Sequence, residues 1–315
     1  YEHIVIGAGA LGSAAAYELV RAGARDVLVL EQFELGNTRG ASEDHSRIIR
    51  HSYHSTNYTR LTHDMYEAWA RLEDESGQQL VLRTGGLELA EAGTDGEAEL
   101  NTYRSTLAPG VESETLDASE IRARWPQWRI GDETVGLYQP AGGILDIRRA
   151  GAVHRALARA RGVDFLANTA VTELRSTPSH VVVETVAGAF EADSVIMCVA
   201  SWATRLLPLL GVDWEITLSQ EQVSYFTPRN LREFAPDRFP MWIWHGDPLF
   251  YGFPTYGEVA TKIGRDMTGR WVTIDTRSYE PDADETALLR RFLERHLPGA
   301  AGPELYSKTC VYDMP

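Results

Sequence analysis

The stretch Ile4-Val5-Ile6-Gly7-Ala8-Gly9-Ala10-Leu11-Gly12, read together with Val27-Leu28-Val29-Leu30-Glu31, decides the fold. An apolar strand runs directly into a G-x-G-x-x-G turn. In such a turn Gly7 permits the tight bend, Gly9 lets the backbone approach a pyrophosphate, and Gly12 allows close helix–strand contact. The helix that follows presents free N–H groups and the positive end of its dipole to phosphate. Leu11, Ala15 and Leu19 fall at helical spacing and give the expected inner face, and Gly23 stops the helix. The second strand ends on Glu31, about 20 positions past the glycines, where an acidic residue holds a ribose hydroxyl. A glycine turn by itself serves packing as readily as binding. Strand, glycines, helix and acid in one register predict a site for an ADP-containing dinucleotide, either FAD or NAD.

Working outward, the 315 residues allow two domains at about 150 residues each. The 30 basic and 45 acidic residues leave a net charge of −15. Such a surface repels nucleic-acid phosphate and anionic lipid and points to a small-molecule partner. The longest apolar runs, such as Val195 to Ala200, are strand-sized, so no membrane span is expected. The first strand begins almost at residue 1, and no signal peptide is expected before it. Cys198 and Cys310 are the only cysteines, which excludes a disulfide framework and makes a reducing cytoplasm the expected compartment.

Residues Asn57 to Ser76 predict one helix with Leu61, Met65, Trp69 and Leu72 inward. From about Leu80 to Gly143 the texture becomes β-rich, with Leu87-Glu88-Leu89, a Trp125-Pro126-Gln127-Trp128 turn and Gly136-Leu137-Tyr138. The α/β rhythm returns with a helix from Arg149 to Arg161 and short strands at 163–166, 170–174 and 181–186. The continuous apolar run Asp193 to Val199 reads as a strand buried on both faces of a parallel sheet. Strands rich in aromatics follow at Val223 to Phe226, Met241 to Trp244 and Phe250 to Phe253, then a helix from Asp284 to His296. The fold class is therefore α/β: a Rossmann-like, mostly parallel dinucleotide domain (1–79, 143–213 and 304–315) interrupted twice by a β-rich α+β substrate domain (80–142 and 214–303).

Three stretches carry candidate chemistry. In His45-Ser46-Arg47-Ile48-Ile49-Arg50-His51 two arginines stand three apart in an apolar segment, where a guanidinium needs an anion and matches a carboxylate or phosphate. Structural ion pairs would account for them equally well. The histidines 45, 51, 54 and 63 match no zinc spacing, and no metal is expected. Tyr251-Gly252-Phe253-Pro254 precedes Thr261-Lys262-Ile263, a lysine inside a strand; on an edge strand it would simply extend to water. In Lys308-Thr309-Cys310-Val311-Tyr312 the lone cysteine is, on the residues alone, a small buried hydrophobe, and Cys198 reads the same way.

In this order the motifs resemble the monomeric sarcosine oxidase and N-methyltryptophan oxidase family of flavoenzymes. The carriers are GAGALGSAA with VLVLE, SRIIRHSY, RWP at Arg124, ASWATRLL at Ala200, YGFP at Tyr251, the Lys262 strand and KTCVY. The resemblance favours FAD over NAD. It implies that Cys310 forms a thioether to the flavin, that Ser46 and Arg47 lie against the isoalloxazine, and that Arg50 holds a substrate carboxylate. It further implies that Lys262 promotes reaction with dioxygen beside the flavin N5 and that Tyr251 and Tyr312 line the substrate pocket. The implied activity is oxidation of a secondary amine or N-methyl or α-amino acid to an imine, with hydrogen peroxide as co-product, by a monomer. An amine dehydrogenase with a protein electron acceptor and a non-catalytic flavin-binding subunit are the alternatives. Two departures stand out: Asp266 replaces a family histidine and suits a cationic or polar substrate group, and Glu43-Asp44-His45 replaces a His-Gly stretch. The chain ends at Pro315, before the family's C-terminal segment, so a longer protein is expected, and this piece alone should hold flavin poorly.

Overall fold

The computed structural model describes residues 1–42 and 44–314; the departure at Glu43 lies outside the described residues. Four parallel strands form the first layer, in the order Ser194–Met197, His3–Ile6, Val27–Leu30, Asp164–Leu166. The period-two alternation of β-structure splits their apolar side chains between two cores. Val5, Val27 and Val29 face Ala16 and Tyr17 of the helix Ala10–Arg21, with Ala150 and Val153 of the helix Ile147–Ala160 completing that core. Ile4, Ile6, Leu28 and Leu30 face the opposite way, onto Leu174, Val183 and Ala192 of an antiparallel meander, Val171–Ser176, Val181–Thr185 and Gly188–Ala192.

Three expectations need correction. The strand Ser194–Met197 is not buried on both faces: it sits at the sheet edge and all four residues are half-buried, because its end opens onto a cleft. Leu11 is not on the inner face of the first helix but 77% exposed. Gly12, Ser13, Ala16 and Tyr17 are buried instead, since the helix must come close to the strand and small residues permit it. The helix expected from Asn57 is broken into Thr56–Thr59 and Thr62–Ser76, with Leu61 exposed at the junction.

The second unit is a nine-stranded sheet. Its main path runs Arg270–Val272, Thr217–Phe226, Thr261–Arg265, Phe250–Phe253, Met241–Trp244, Gly86–Glu91, Thr134–Gln139, Glu114–Asp117. The segment expected with the dinucleotide unit, 304–315, contributes Glu304–Met314, which pairs antiparallel with Thr217–Phe226 along its whole length. The helix Ala283–His296 covers one face: the Phe292 ring stacks on Trp242 at 5.6 Å and on Phe250 at 4.1 Å. A small sheet with Gly143–Leu145 between Arg47–Ile49 and Val81–Leu82 ties the units together. It holds the segment carrying Arg47 and Arg50 against the open face of the large sheet.

Candidate functional site

The glycine turn works by what it excludes. Gly7 has φ +100°, and a Cβ there would lie 2.3 Å from the Cys198 carbonyl oxygen; a Cβ on Gly12 would lie 1.8 Å from the Gly7 oxygen. Neither position tolerates a side chain without backbone movement. At Gly9 a Cβ would meet the Ser42 hydroxyl at 3.2 Å. The helix Ala10–Arg21 starts with no side-chain cap, although the Ala10 N–H donates to Ser42 Oγ at 2.9 Å. Its first turn therefore retains N–H groups for an anion. Glu31 is buried, and its carboxylate accepts the N–H groups of Ala8 (2.9 Å) and Phe33 (3.0 Å), which fixes it at the turn. Gly7, Gly9 and Glu31 line one cleft of about 530 Å³ with Cys198 and Trp202; Gly12 lies beneath the turn. Cys198 packs half-buried against the core, as expected from its strand, and also forms part of the cleft wall.

Gly40, Ala41 and Arg148 line this cleft and also a second cavity of about 800 Å³, so the two run into each other. The second cavity gathers Ser46, Arg47, Arg50, Tyr251, Lys262, Asp266, Cys310 and Tyr312. Every candidate named from the sequence beyond the dinucleotide motif is there, drawn from the segment around the short strand Arg47–Ile49 and from three strands of the large sheet and their ends. Continuity between a glycine cradle and a polar, aromatic-walled cavity fits a dinucleotide with its diphosphate at the turn and its second ring in the cavity.

Electrostatics in the cavity centre on a residue not picked out as a site from the sequence. Asp44 is 2% exposed. Its carboxylate meets Lys262 Nζ at 2.5 Å and Lys308 Nζ at 3.0 Å, accepts the Tyr225 hydroxyl, and lies 3.8 Å from Arg47 Nη1. Burial works to raise this carboxyl, yet Lys262 and Lys308 outweigh it and hold it well below the usual carboxylate range. Lys262 is 4% exposed, donates to the Ser46 carbonyl at 3.2 Å and lies 4.8 Å from the centre of the Phe253 ring. Burial pulls its ammonium down to about 8; Asp44 opposes the fall, and Arg47 and Lys308 add to it. Arg47 is tied to backbone, donating to the Ser46 carbonyl at 3.0 Å and to the Ala41 carbonyl. Burial raises the Cys310 thiol while Arg47 and Lys262 pull it back.

Arg50 differs. Its Nε and Nη1 are buried without a hydrogen-bond partner, and its guanidinium lies 5.1 Å from the Tyr53 ring centre and 5.3 Å from that of Tyr103. A buried guanidinium with open donors is a binding position for an anion. Burial raises the carboxyl of Asp266, against the pull of the neighbouring Tyr312 hydroxyl, and raises Tyr251 and Tyr312. Those phenols stay neutral donors at any physiological pH.

Among residues missed from the sequence, Lys308 was legible: Lys308, Cys310 and Tyr312 alternate along one strand and so share a face. Asp44 had only its position before the arginines as a signal, and Glu88 and His245 behind Arg50 had none. Among the described residues no group of three or more His, Cys, Asp or Glu is gathered as for a metal, and no helix is long and apolar enough to cross a membrane.

The parallel βαβ unit, the glycine turn and the charged cavity continuous with it define a flavin-dependent oxidoreductase. Comparison with known proteins makes this specific: residues 2–315 match the FAD dependent oxidoreductase family, and the chain belongs to it. It is 29% identical over 318 residues to the monomeric sarcosine oxidase of Bacillus sp. (strain B-0618), covering 99% of this chain and 80% of that protein. It is 30% identical over 324 residues to the peroxisomal sarcosine oxidase of Homo sapiens, with 99% and 80% covered. Among solved structures it resembles the open form of NikD, described as an unusual amino acid oxidase essential for nikkomycin biosynthesis. The TM-score is 0.87 at 26% identity, covering 100% of this chain and 82% of that one. The expected family, fold class and FAD dependence are therefore borne out.

Proposed function

We propose that the protein oxidises the C–N bond of an N-methyl or other secondary amino acid, with dioxygen as electron acceptor and an imine and hydrogen peroxide as products. The observation that carries this reading is the convergence of Arg47, Arg50, Lys262 and Cys310, remote in sequence, on one cavity that opens into the glycine cradle. The similarity to sarcosine oxidases and to an amino acid oxidase supports the substrate class. FAD, when bound, supplies the hydride acceptor and the reduced ring that reacts with dioxygen.

The chain's own residues hold and orient. Gly7, Gly9 and the helix start receive the diphosphate, and Glu31 the ribose. Ser46 and Arg47 flank the isoalloxazine, and Cys310 is the point of attachment. Arg50 takes the substrate carboxylate through its open donors, and Tyr53 and Tyr103 hold its plane. Tyr251, Tyr312 and Asp266 line the far side and receive the polar part of the substrate. Lys262 is a fixed cation; a charge positioned in advance stabilises an oxygen anion as it forms without solvent reorganisation. The dinucleotide and substrate units divide near residues 79, 143 and 213, with the strand Glu304–Met314 on the substrate side.

The decisive test is anaerobic mixing of the flavin-loaded protein with a panel of N-methyl and cyclic amino acids, followed by peroxide assay in air. Flavin bleaching with one peroxide per turnover supports the reading. Bleaching without peroxide points to a different electron acceptor, and no bleaching with any amino acid overturns it. Acid precipitation tests Cys310: the pellet should stay yellow, and colour in the supernatant removes the attachment.

A further inference from the structure

The open donors of Arg50 have a cause in the polar chain behind them. The nearest carboxylate, Glu88, is fully buried on the strand Gly86–Glu91, and its Oε2 stands 3.7 Å from Arg50 Nη1, too far for a hydrogen bond. Glu88 is held back by other partners. Its Oε1 accepts from the Ser52 hydroxyl and from Gln139 Nε2 at 3.4 Å, and its Oε2 lies 2.8 Å from His245 Nε2.

His245 is itself buried just past the strand Met241–Trp244, its backbone N–H on the Leu89 carbonyl at 2.7 Å. Its Nδ1 lies 3.2 Å from Glu99 Oε2, near but out of line for a hydrogen bond. The Tyr103 ring stands edge-on to the imidazole at 4.9 Å and also lies beside Arg50. At Gly96 a Cβ would fall 2.5 Å from the His245 oxygen, so the helix Asp95–Ser105 presses directly on this residue. The groups facing the imidazole are thus Glu88, Glu99 and Tyr103, with Arg50 across Glu88.

We propose that His245 is the positioning residue of the anion site: as an imidazolium between Glu88 and Glu99 it engages Glu88 and keeps Arg50 free for the carboxylate of a substrate. Charges then alternate as Arg50, Glu88, His245, Glu99, and an incoming carboxylate finds a guanidinium whose pairing with Glu88 is long, at 3.7 Å, and leaves its Nε and Nη1 without a hydrogen bond. With the imidazole neutral, one N–H can still be donated to Glu88, but the positive charge that offsets its carboxylate is gone, so Glu88 is drawn to Arg50 and closes the site. Although burial disfavours the imidazolium, the two carboxylates outweigh it, so the proton is held more firmly than on an ordinary histidine. Carboxylate binding is therefore strong below the raised value and is lost as pH rises through it.

The inference rests on Arg50 as the carboxylate site, and the two are separable by calorimetric titration of the flavin-loaded protein with benzoate and with uncharged benzamide. Wild type should prefer benzoate, with the preference falling as pH rises through the imidazole's raised value. H245Q should lose about tenfold in benzoate affinity at a pH below that transition, with benzamide unchanged and the pH dependence gone. E99Q, altered at the half-exposed end, should keep the fold and move the fall to lower pH. If R50Q abolishes the benzoate preference while H245Q and E99Q leave it and its pH dependence intact, the role of His245 is overturned and Arg50 stands. If R50Q also leaves it intact, both fall. Equal weakening of both probes in H245Q and E99Q would show a structural role alone and overturn the proposal.

Discussion

The two halves of the joined cavity are built in opposite ways. Around Gly7, Gly9 and Gly12 the site is backbone: its character comes from side chains that are absent, and every essential position lies within 31 residues of the N-terminus. Around Asp44 the site is side chain: charges from segments near residues 44, 262 and 308 meet within hydrogen-bond distance of one carboxylate. Backbone sites are steric and nearly all-or-none. Side-chain sites are electrostatic and graded, because each charge is tuned by its neighbours.

This contrast can be broken or sharpened by substitution. The largest effect is expected for Gly12→Ala, whose methyl would stand 1.8 Å from the Gly7 oxygen. Flavin content after reconstitution should fall to near zero while the large sheet stays folded by circular dichroism; normal loading would remove the steric account. Next is Asp44→Asn, which leaves buried Lys262 and half-buried Lys308 beside Arg47 without their counter-charge. Loss of one partner in a buried ion pair costs roughly 3–5 kcal/mol, so thermal or urea unfolding should show a clear drop. A shift within error would mean that the cluster is solvated.

Lys262→Met should slow reoxidation by oxygen about 10²–10³-fold, as for removal of one preorganised electrostatic donor, and anaerobic reduction far less. In the wild type the same step should weaken as pH rises through about 8, where the buried ammonium is lost. Equal slowing of both half-reactions in stopped-flow measurements would sink the oxygen role. The smallest effect is expected for Gly23→Ala. Gly23 has φ +110° but nothing within 4 Å of a Cβ, so strain alone, about 1 kcal/mol of stability, should appear with flavin loading intact.

Legibility followed the same divide. The parallel strands, the glycine turn and the acidic end of the second strand were readable because each is a local rule of spacing. Where packing overrode a local pattern the reading failed: Leu11 was given the inner face that Gly12 and Ala16 occupy, and the edge position of Ser194–Met197 could not follow from its apolar run. The arginines, Lys262 and Cys310 were found by resemblance of short motifs, whereas their residue types alone left structural ion pairs equally open for the arginines and favoured an edge-strand lysine and a buried, unreactive cysteine. Asp44 and the Glu88–His245–Glu99 chain carried no motif at all.

By itself, then, the sequence determined the dinucleotide unit, because a backbone cradle requires glycine at fixed intervals next to a strand and a helix, and those intervals are covalent. Only the tertiary structure decided which charges face one another. A buried ion's partner is chosen by distance in space, and strands hundreds of residues apart are brought to that distance by the sheet that joins them.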